Sequence, residues 1–277
     1  MQGDGTIVTS ASTPKRSTRC SKRSLSSSRS VAGHLADKEA LFLTVLGACA
    51  PGSGVILEIG SFLGNSTIIL AKAAAANGQP ALVAIDPLSL AGMRKTSLDA
   101  ESGRDEFFAN LERAGARDRV EFHEMLSEDV ASEWDRPIRL LWIDGDHTFE
   151  GATADFVNFS PHLIQGGVIA FHDVMHSCGV TRVFIDRVLR SGMFGAAGIV
   201  GSIGRAQLTG DGDDVHRGHR DRLARRLDRW VRTAEAGCFH SRTNRFLRKL
   251  LRAGVPHRSL STRKFLDTVE RHVPQVA

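Results

Sequence analysis

The sequence predicts an α/β fold, with a doubly wound, mostly parallel sheet of seven strands and a basic helical extension at the C-terminus. From about His34 to Leu208, short apolar segments alternate with segments of helical periodicity, a pattern typical of parallel sheets covered on both faces. The last two strand candidates have no helix between them, which favours an antiparallel hairpin. The 277 residues are 42% hydrophobic and 24% charged, ordinary values for a globular protein.

The expected elements follow from apolar runs and helical spacing. Strands are expected at Val55–Ile59, Ala81–Ile85, Val120–Met125, Ile138–Ile143, Val168–Phe171, Ala197–Ser202 and Gly204–Leu208. Helices are expected at Ser66–Ala76, Arg104–Ala114, Ala152–Leu163 and Val180–Ser191. A further helix is expected before the first strand, because apolar residues recur at helical spacing from Leu35 to Cys49 and Pro51 to Gly54 then end the run.

Charge divides the chain into three parts. Residues 1–30 carry a net charge of +5, residues 31–204 carry −9 and residues 205–277 carry +9. We predict a disordered basic tail over 1–30, because its Ser, Lys and Arg residues offer little apolar surface to bury. An organellar transit peptide has a similar composition, but a flexible tail or a start codon placed too early is favoured. The central domain is expected over 31–208 and the helical extension over 209–277.

Several classes of protein are excluded. No run of about 18 apolar residues is present, so no transmembrane helix is expected, and the polar N-terminus is not a secretory signal. The four cysteines, Cys20, Cys49, Cys178 and Cys238, form no C-x-x-C pair, which excludes a zinc ribbon. Reduced thiols and a cytoplasmic location are therefore expected.

The C-terminal extension contains basic amphipathic segments. Their apolar faces are expected to group Leu223, Leu227, Trp230 and Val231, then Phe246, Leu247, Leu250 and Leu251, and finally Phe265, Leu266, Val269 and Val273. Packing against the acidic core or across a homo-oligomer is the favoured interpretation. A membrane-surface contact is the second. Nucleic-acid binding is disfavoured, because aromatic residues for base stacking are sparse.

A glycine-bearing turn follows the first strand. It runs from Glu58 through Gly60 and Gly64 to Ser66, where a helix begins, and such a turn lets a ligand approach free N–H groups. A turn of this kind is about as often purely structural. The second strand ends at Asp86, where an acid can bind the two hydroxyls of a ribose. The turn lacks the G-x-G-x-x-G pattern of nicotinamide cofactors and suits a carboxypropyl-amino ligand, with Glu58 organising the turn.

Acids and histidines follow two later strands. Asp144, Asp146 and His147 end the fourth strand, and His172 and Asp173 end the fifth. If the two strands are neighbours, these side chains share a small volume, and crowded carboxylates require a cation. Carboxylates with an imidazole suit Mg²⁺ or Mn²⁺. One or two of the five are expected to be caps or turn residues instead.

Three motifs identify a family resemblance. They are E-x-G-x-x-x-G-x-S from Glu58 to Ser66, I-D-G-D-H ending at His147, and G-G-x-x-x-x-H-D-V from Gly166 to Val174. Over residues 31–208 the chain resembles class I S-adenosylmethionine-dependent methyltransferases. It is most similar to the metal-dependent small-molecule O-methyltransferases, including bacterial relatives of the catechol, caffeoyl-CoA and antibiotic or sugar enzymes. This resemblance implies a Rossmann-like methyltransferase fold.

The resemblance also implies how S-adenosylmethionine is held. Gly60, Ser61 and Ser66, with Glu58 and Gly64 in the same turn, would surround its methionine end. Asp86 would bind the ribose and Asp144 would lie near the cofactor. Ser127 would contact the adenine, although Met125 stands where the family often has glycine.

Further roles follow for the acids and histidines. Asp144, His172 and Asp173 would hold Mg²⁺ or Mn²⁺. His172 replaces an oxygen ligand, so its role as ligand or as support for a ligand stays open. His147 occupies the position where plant and animal relatives have a catalytic lysine, and we expect it to be the general base, with Asp144 as its catalytic partner. The alternative for His147 is that it caps the helix beginning near Thr148.

The expected function is O-methylation of a hydroxyl on a sugar, a glycolipid or another small secondary metabolite. A catechol or phenol acceptor is the first alternative, disfavoured by His147 in the lysine position. A non-catalytic protein that keeps the fold and binds the cofactor or a partner is the second. The sequence does not indicate a nucleic-acid partner.

Overall fold

The structure, a computed structural model, describes residues 31, 33, 35–76, 82–88, 100–210 and 215–236 of the chain. The predicted tail over residues 1–30 and the two last amphipathic segments of the extension lie outside the described residues. No helix in the described part of the chain is long and apolar enough to cross a membrane.

Seven helices and seven strands build the described part of the fold. The helices are α1 (Asp37–Cys49), α2 (Asn65–Ala76), α3 (Ala100–Arg113), α4 (Ser127–Ala131), α5 (Phe149–Phe159), α6 (Cys178–Val183) and α7 (Arg217–Glu235). The strands are β1 (Val55–Ile59), β2 (Leu82–Ile85), β3 (Val120–His123), β4 (Ile138–Ile143), β5 (Leu163–Phe171), β6 (Phe194–Val200) and β7 (Ile203–Leu208). Short 3-10 turns at Arg117–Arg119 and Ser160–His162 precede β3 and β5, and a π-helical segment, Phe184–Leu189, extends α6.

The strands form one sheet in the order β3-β2-β1-β4-β5-β7-β6. The first five strands are parallel, and β7 runs antiparallel to both of its neighbours. This confirms the predicted doubly wound, mostly parallel sheet and its terminal hairpin. It also makes β4 a neighbour of both β1 and β5, so their carboxyl ends meet where an open α/β sheet binds ligands.

Two boundaries differ from the predicted ones near the fifth strand. The expected helix over 152–163 begins earlier, at Phe149, and its α-helical part ends at Phe159. Pro161 follows within a 3-10 turn, and since proline has no N–H to donate, it cannot continue the α-helix. The strand then begins at Leu163 rather than Val168, with a register shift against β4 before Leu140.

The two faces of the sheet bury separate apolar clusters. Along β1, Leu57 and Ile59 point to the face covered by α5, α6 and α7, while Ile56 points to the face covered by α1 and α2. Successive side chains of a strand point to opposite faces, so Glu58 shares the face of Ile56. That polar side chain is fully buried at the strand end, and it belongs to the candidate site.

Helix α7, which lies in the predicted extension, packs on this core. Leu223, Leu227, Trp230 and Val231 are at most 3% exposed and join the cluster under α5 and α6. The predicted apolar face of this segment is therefore confirmed. Two ion pairs attach the helix to its neighbours, Arg182–Glu235 and Arg190–Asp228. The division of the chain into three parts stays a prediction.

We expect Leu227→Ala to lower the free energy of unfolding by about 2–5 kcal/mol, because it removes a fully buried side chain and leaves a cavity. Arg225→Ala, on the exposed side of the same helix, is the control and should change it by less than about 0.5 kcal/mol. Denaturant unfolding measures both. Equal, small effects would show that α7 does not pack on the core in solution.

Candidate functional site

The glycine turn lies directly against the end of β4. Gly60 has φ +89°, and a side-chain carbon there would collide with the backbone carbonyl of Asp144. Gly64 also has φ +89°, with the Phe107 ring closely packed beside it. Only glycine adopts this conformation without strain. The turn therefore brings its backbone next to the first acid of the I-D-G-D-H segment.

Glu58 supports the turn from inside the protein. Its side chain is fully buried, and Ser61 Oγ donates a hydrogen bond to its Oε2 over 3.4 Å. Burial raises the pKa of Glu58 to about 8, with a smaller contribution from the charges of Asp144 and Asp86. Glu58 is therefore mostly protonated at neutral pH. This arrangement is consistent with the predicted role of Glu58 as an organiser of the turn.

Asp86 closes the turn from the end of β2. Its Oδ2 accepts hydrogen bonds from the backbone N–H groups of Ser61 (2.7 Å) and Phe62 (2.8 Å), and its Oδ1 accepts one from Leu88 (2.7 Å). Burial nevertheless raises the pKa of Asp86. The side chain predicted to bind a ribose thus also holds the glycine turn in place. The residue is still partly exposed.

Ser127, the predicted adenine contact, begins α4 after β3. Its Oγ donates a 2.6 Å hydrogen bond to Asp155 Oδ1. Asp155 is 4% exposed, and burial raises its pKa to about 6. Asp155 was not among the residues predicted for the site. The sequence signal for Asp155 was its position three residues after Ala152, which places an acid on the apolar side of an amphipathic helix.

The acids and histidines at the ends of β4 and β5 converge as predicted. His172 Nδ1 lies 3.0 Å from Asp144 Oδ1 and 3.7 Å from Asp173 Oδ1. His147 Nε2 lies 3.4 Å from Asp144 Oδ1 and 3.6 Å from Asp173 Oδ2. Both carboxylates therefore face the imidazole rings of His147 and His172.

Charge compensation shifts the pKa of each group in this cluster. Burial opposes protonation of His172, but the carboxylates of Asp144 and Asp173 outweigh it and raise the pKa of His172 to about 9. Burial would raise the pKa of Asp173, but the histidines around it lower that pKa to about 2. The pKa of Asp144 is likewise lowered against its burial, chiefly by His172. The hydrogen bond to Asp144 raises the pKa of His147.

A third histidine, not predicted from the sequence, belongs to the cluster. His176 Nδ1 lies 2.9 Å from Asp173 Oδ1. The chain turns sharply here, since Asp173 and Met175 have φ values of +55° and +74° and the Ser177 N–H bonds back to the carbonyl of Asp173. The H-x-x-x-H spacing from His172 to His176 was the only signal in the sequence.

Asp146 is a turn residue, one of the caps expected among the five. It accepts hydrogen bonds from the backbone N–H and the hydroxyl of Thr148, and Thr148 Oγ1 in turn accepts the N–H of Gly151 as the N-cap of α5. Thr148, and not His147, therefore caps this helix. The alternative role considered for His147 is absent from the structure.

In this arrangement the described residues contain no group of three or more His, Cys, Asp or Glu side chains placed to hold a metal ion. The reason lies in the contacts above. The imidazoles of His147, His172 and His176 already stand where a cation would compensate Asp144 and Asp173. The predicted metal ligands are thus brought together, but as ion pairs.

The raised pKa of Glu58 predicts a pH-dependent effect of Glu58→Gln. The unfolded chain ionises this carboxyl above its ordinary pKa of 4.5, whereas the folded protein keeps the proton up to about pH 8. Folding of the wild type therefore weakens as pH rises across this interval. Glutamine does not titrate, so the variant should gain about 3 kcal/mol of unfolding free energy relative to wild type at pH 7.

At pH 4 this difference should disappear, because both states of the wild type are then largely protonated. Denaturant unfolding at the two pH values measures it. Exposed Glu128→Gln is the control and should show no such pH dependence. A difference of equal size at both pH values would contradict the protonated state assigned to Glu58.

Comparison with known proteins agrees with this geometry. Residues 57–174, which run from β1 to just past the His172–Asp173 pair, match the family model described as "Methyltransferase domain".

Solved structures share the fold. The cofactor-bound Rv0187 protein from MTB is 20% identical, with 70% of this chain and 91% of that chain covered and a TM-score of 0.52. The O-methyltransferase NovP is 17% identical, with 62% and 80% covered and a TM-score of 0.50. A putative O-methyltransferase from Klebsiella pneumoniae is 20% identical, with 72% and 92% covered and a TM-score of 0.51.

The family match covers the glycine turn, the acid at the end of β2 and both acid–histidine segments, on a sheet of the order described above. Residues 57–174 are therefore similar to a methyltransferase domain.

Proposed function

We propose that this protein transfers the methyl group of S-adenosylmethionine to a hydroxyl oxygen of a sugar, a glycolipid or another small secondary metabolite. The observation that supports this proposal most strongly is the position of His147. Its imidazole lies between the carboxylates of Asp144 and Asp173 and is 40% exposed. It stands on the edge of the sheet that also holds the glycine turn, since Asp144 touches Gly60.

In the proposed site the glycine turn holds the cofactor. Gly60, Ser61 and Ser66, in the turn organised by Glu58 and Gly64, would surround its methionine end. Asp86 would accept hydrogen bonds from the ribose, and Ser127 would lie at the adenine. The buried, mostly uncharged Glu58 supports this assignment, because it holds the turn without adding a full negative charge to a site that would bind the cofactor's carboxylate.

The proposed reaction begins with proton transfer from the acceptor hydroxyl to the neutral form of His147, whose pKa is raised by the hydrogen bond to Asp144. Asp144 orients this imidazole and stabilises the imidazolium that forms. The acceptor oxygen attacks the sulfonium methyl carbon, so a C–O bond forms while the S–CH₃ bond breaks. The sulfur keeps the bonding pair, and S-adenosylhomocysteine leaves. The protein chiefly aligns the two reactants and removes one proton.

Assistance by Mg²⁺ or Mn²⁺ is a separate part of the proposal. Asp144, His172 and Asp173 would hold the ion, and the donor set fits in type, since carboxylate oxygens and imidazole nitrogens from two strand ends lie 3.0–3.7 Å apart. To bind, the ion would have to displace the imidazole–carboxylate hydrogen bonds seen here. Once bound, it would lower the pKa of a coordinated hydroxyl.

Two alternatives are kept. A catechol or phenol acceptor would use the same cluster, with less need for a base because a phenol is more acidic than an alcohol. A non-catalytic protein would bind the cofactor without turnover, but it would gain nothing from two carboxylates facing three imidazoles at the cofactor turn. We place the enzyme in the cytoplasm, in keeping with Cys49 and Cys178, which are not joined in disulfides.

Calorimetry tests cofactor and metal binding separately. S-adenosylmethionine titrated into metal-stripped protein should bind at micromolar concentration. Mg²⁺ or Mn²⁺ should then give a separate heat that Asp173→Ala abolishes, while Asp135→Ala, an exposed acid away from the strand ends, retains it. Absence of cofactor binding would refute the methyltransferase function, and cofactor binding without a metal heat would refute only the metal.

A second test addresses His147. Once an acceptor screen over sugars, glycolipids and phenols has found a substrate, His147→Gln should reduce kcat by about 10²–10⁴-fold, the usual contribution of a general base. The affinity for S-adenosylmethionine should not change. His162→Gln, in the 3-10 turn before β5, is the matched control and should retain full activity. Full activity of His147→Gln would assign the base elsewhere.

A further inference from the structure

The outer side of α7 forms a row of arginines. Arg222, Arg225, Arg229 and Arg232 are all exposed, and their spacing of three, four and three residues places them on one side of the helix. At 1.5 Å per residue the row is about 15 Å long. We call these four residues the arginine stripe.

The stripe is not compensated within the described part of the chain. The four guanidinium groups make no ion pair with another described residue. Two of the three acids of α7 are already used, since Asp228 pairs with Arg190 and Glu235 with Arg182. The third, Asp221, is the only described carboxylate of the helix left near the stripe. The helix therefore presents a net positive row to solvent.

The opposite side of α7 cannot take part in binding. Leu227 is fully buried and Trp230 is 2% exposed, both within the core. An amphipathic helix that binds a bilayer by insertion needs a free apolar face, and this one has none. Any partner of the stripe must therefore be bound through charge at the surface of the protein.

We propose that the arginine stripe is a docking surface for the anionic headgroups of a lipid bilayer, held by electrostatic attraction without insertion of the helix. A straight row on a convex helix can contact a flat array of phosphates with all four side chains at once. Each Arg near an anionic membrane strengthens binding by about fivefold. Residues 237–277, which follow the helix, carry a further net charge of +7.

Nucleic acid is a weaker match for this surface. Proteins that bind single strands combine positive charge with exposed aromatic rings for base stacking. The one tryptophan of α7, Trp230, is buried, and no Phe lies on the helix. The stripe thus offers charge but no stacking surface. The proposal does not depend on the chemistry of the active site.

The test uses the full chain and co-sedimentation with vesicles of phosphatidylcholine alone or mixed with phosphatidylglycerol. Wild type should bind only the mixed vesicles, and salt should weaken this binding. The variant R222Q/R225Q/R229Q/R232Q should bind on the order of a thousandfold more weakly. The control R104Q/R113Q/R117Q/R119Q removes the same charge from exposed sites beside β3, at the opposite edge of the sheet, and should bind like wild type.

Unfolding midpoints show whether the variants fold. If the fourfold variant does not fold, R225Q/R229Q takes its place and should lose part of the vesicle binding. Equal losses in the stripe and control variants would overturn the proposal, because net charge alone would then explain binding. Unchanged vesicle binding by the stripe variant would overturn it too. The proposal would also be overturned if the wild type bound single-stranded RNA but not vesicles and the stripe variant lost that RNA binding.

Discussion

The site depends on how the negative charges of Asp144 and Asp173 are compensated. These carboxylates end two neighbouring strands, and without compensation one of them would hold a proton to avoid repulsion. Three imidazoles supply that compensation, so both acids keep lowered pKa values although they are partly buried. Because the histidines come from the two segments after β4 and β5, this charge balance also holds those segments relative to each other.

The close contact between Gly60 and the backbone of Asp144 links the glycine turn to this charged cluster. A turn that touches β4 cannot move independently of the charged cluster. Asp86 holds the other side of the same turn through the N–H groups of Ser61 and Phe62. Cofactor and acceptor would therefore be placed by one rigid unit of three strand ends, which is what an in-line methyl transfer requires of a protein.

The sequence predicted the fold and the convergence of the acids and histidines at the ends of β4 and β5, because both follow from periodicity and strand order. Strand ends and glycine turns are local features, so the order of the elements is enough to place Asp144, His147, His172 and Asp173 together. Partner choice is not local. Nothing near Asp155 indicates Ser127, and His176 reaches Asp173 only through two residues of positive φ that their side chains do not predict. Whether carboxylates face a metal or imidazoles depends on such side-chain geometry.

For the basic extension, too, sequence periodicity predicted the helix but not what the helix packs against. Periodicity predicted the apolar face of α7, but periodicity is identical for a helix that packs on a core and for one that lies in a membrane surface. The structure distinguishes these cases, since Leu227 and Trp230 lie in the core of the domain. With its apolar face buried, the helix can act on its surroundings only through its charges. The acidic domain and its basic edge are therefore parts of one folded unit, and the arginines of α7 are presented on a rigid support.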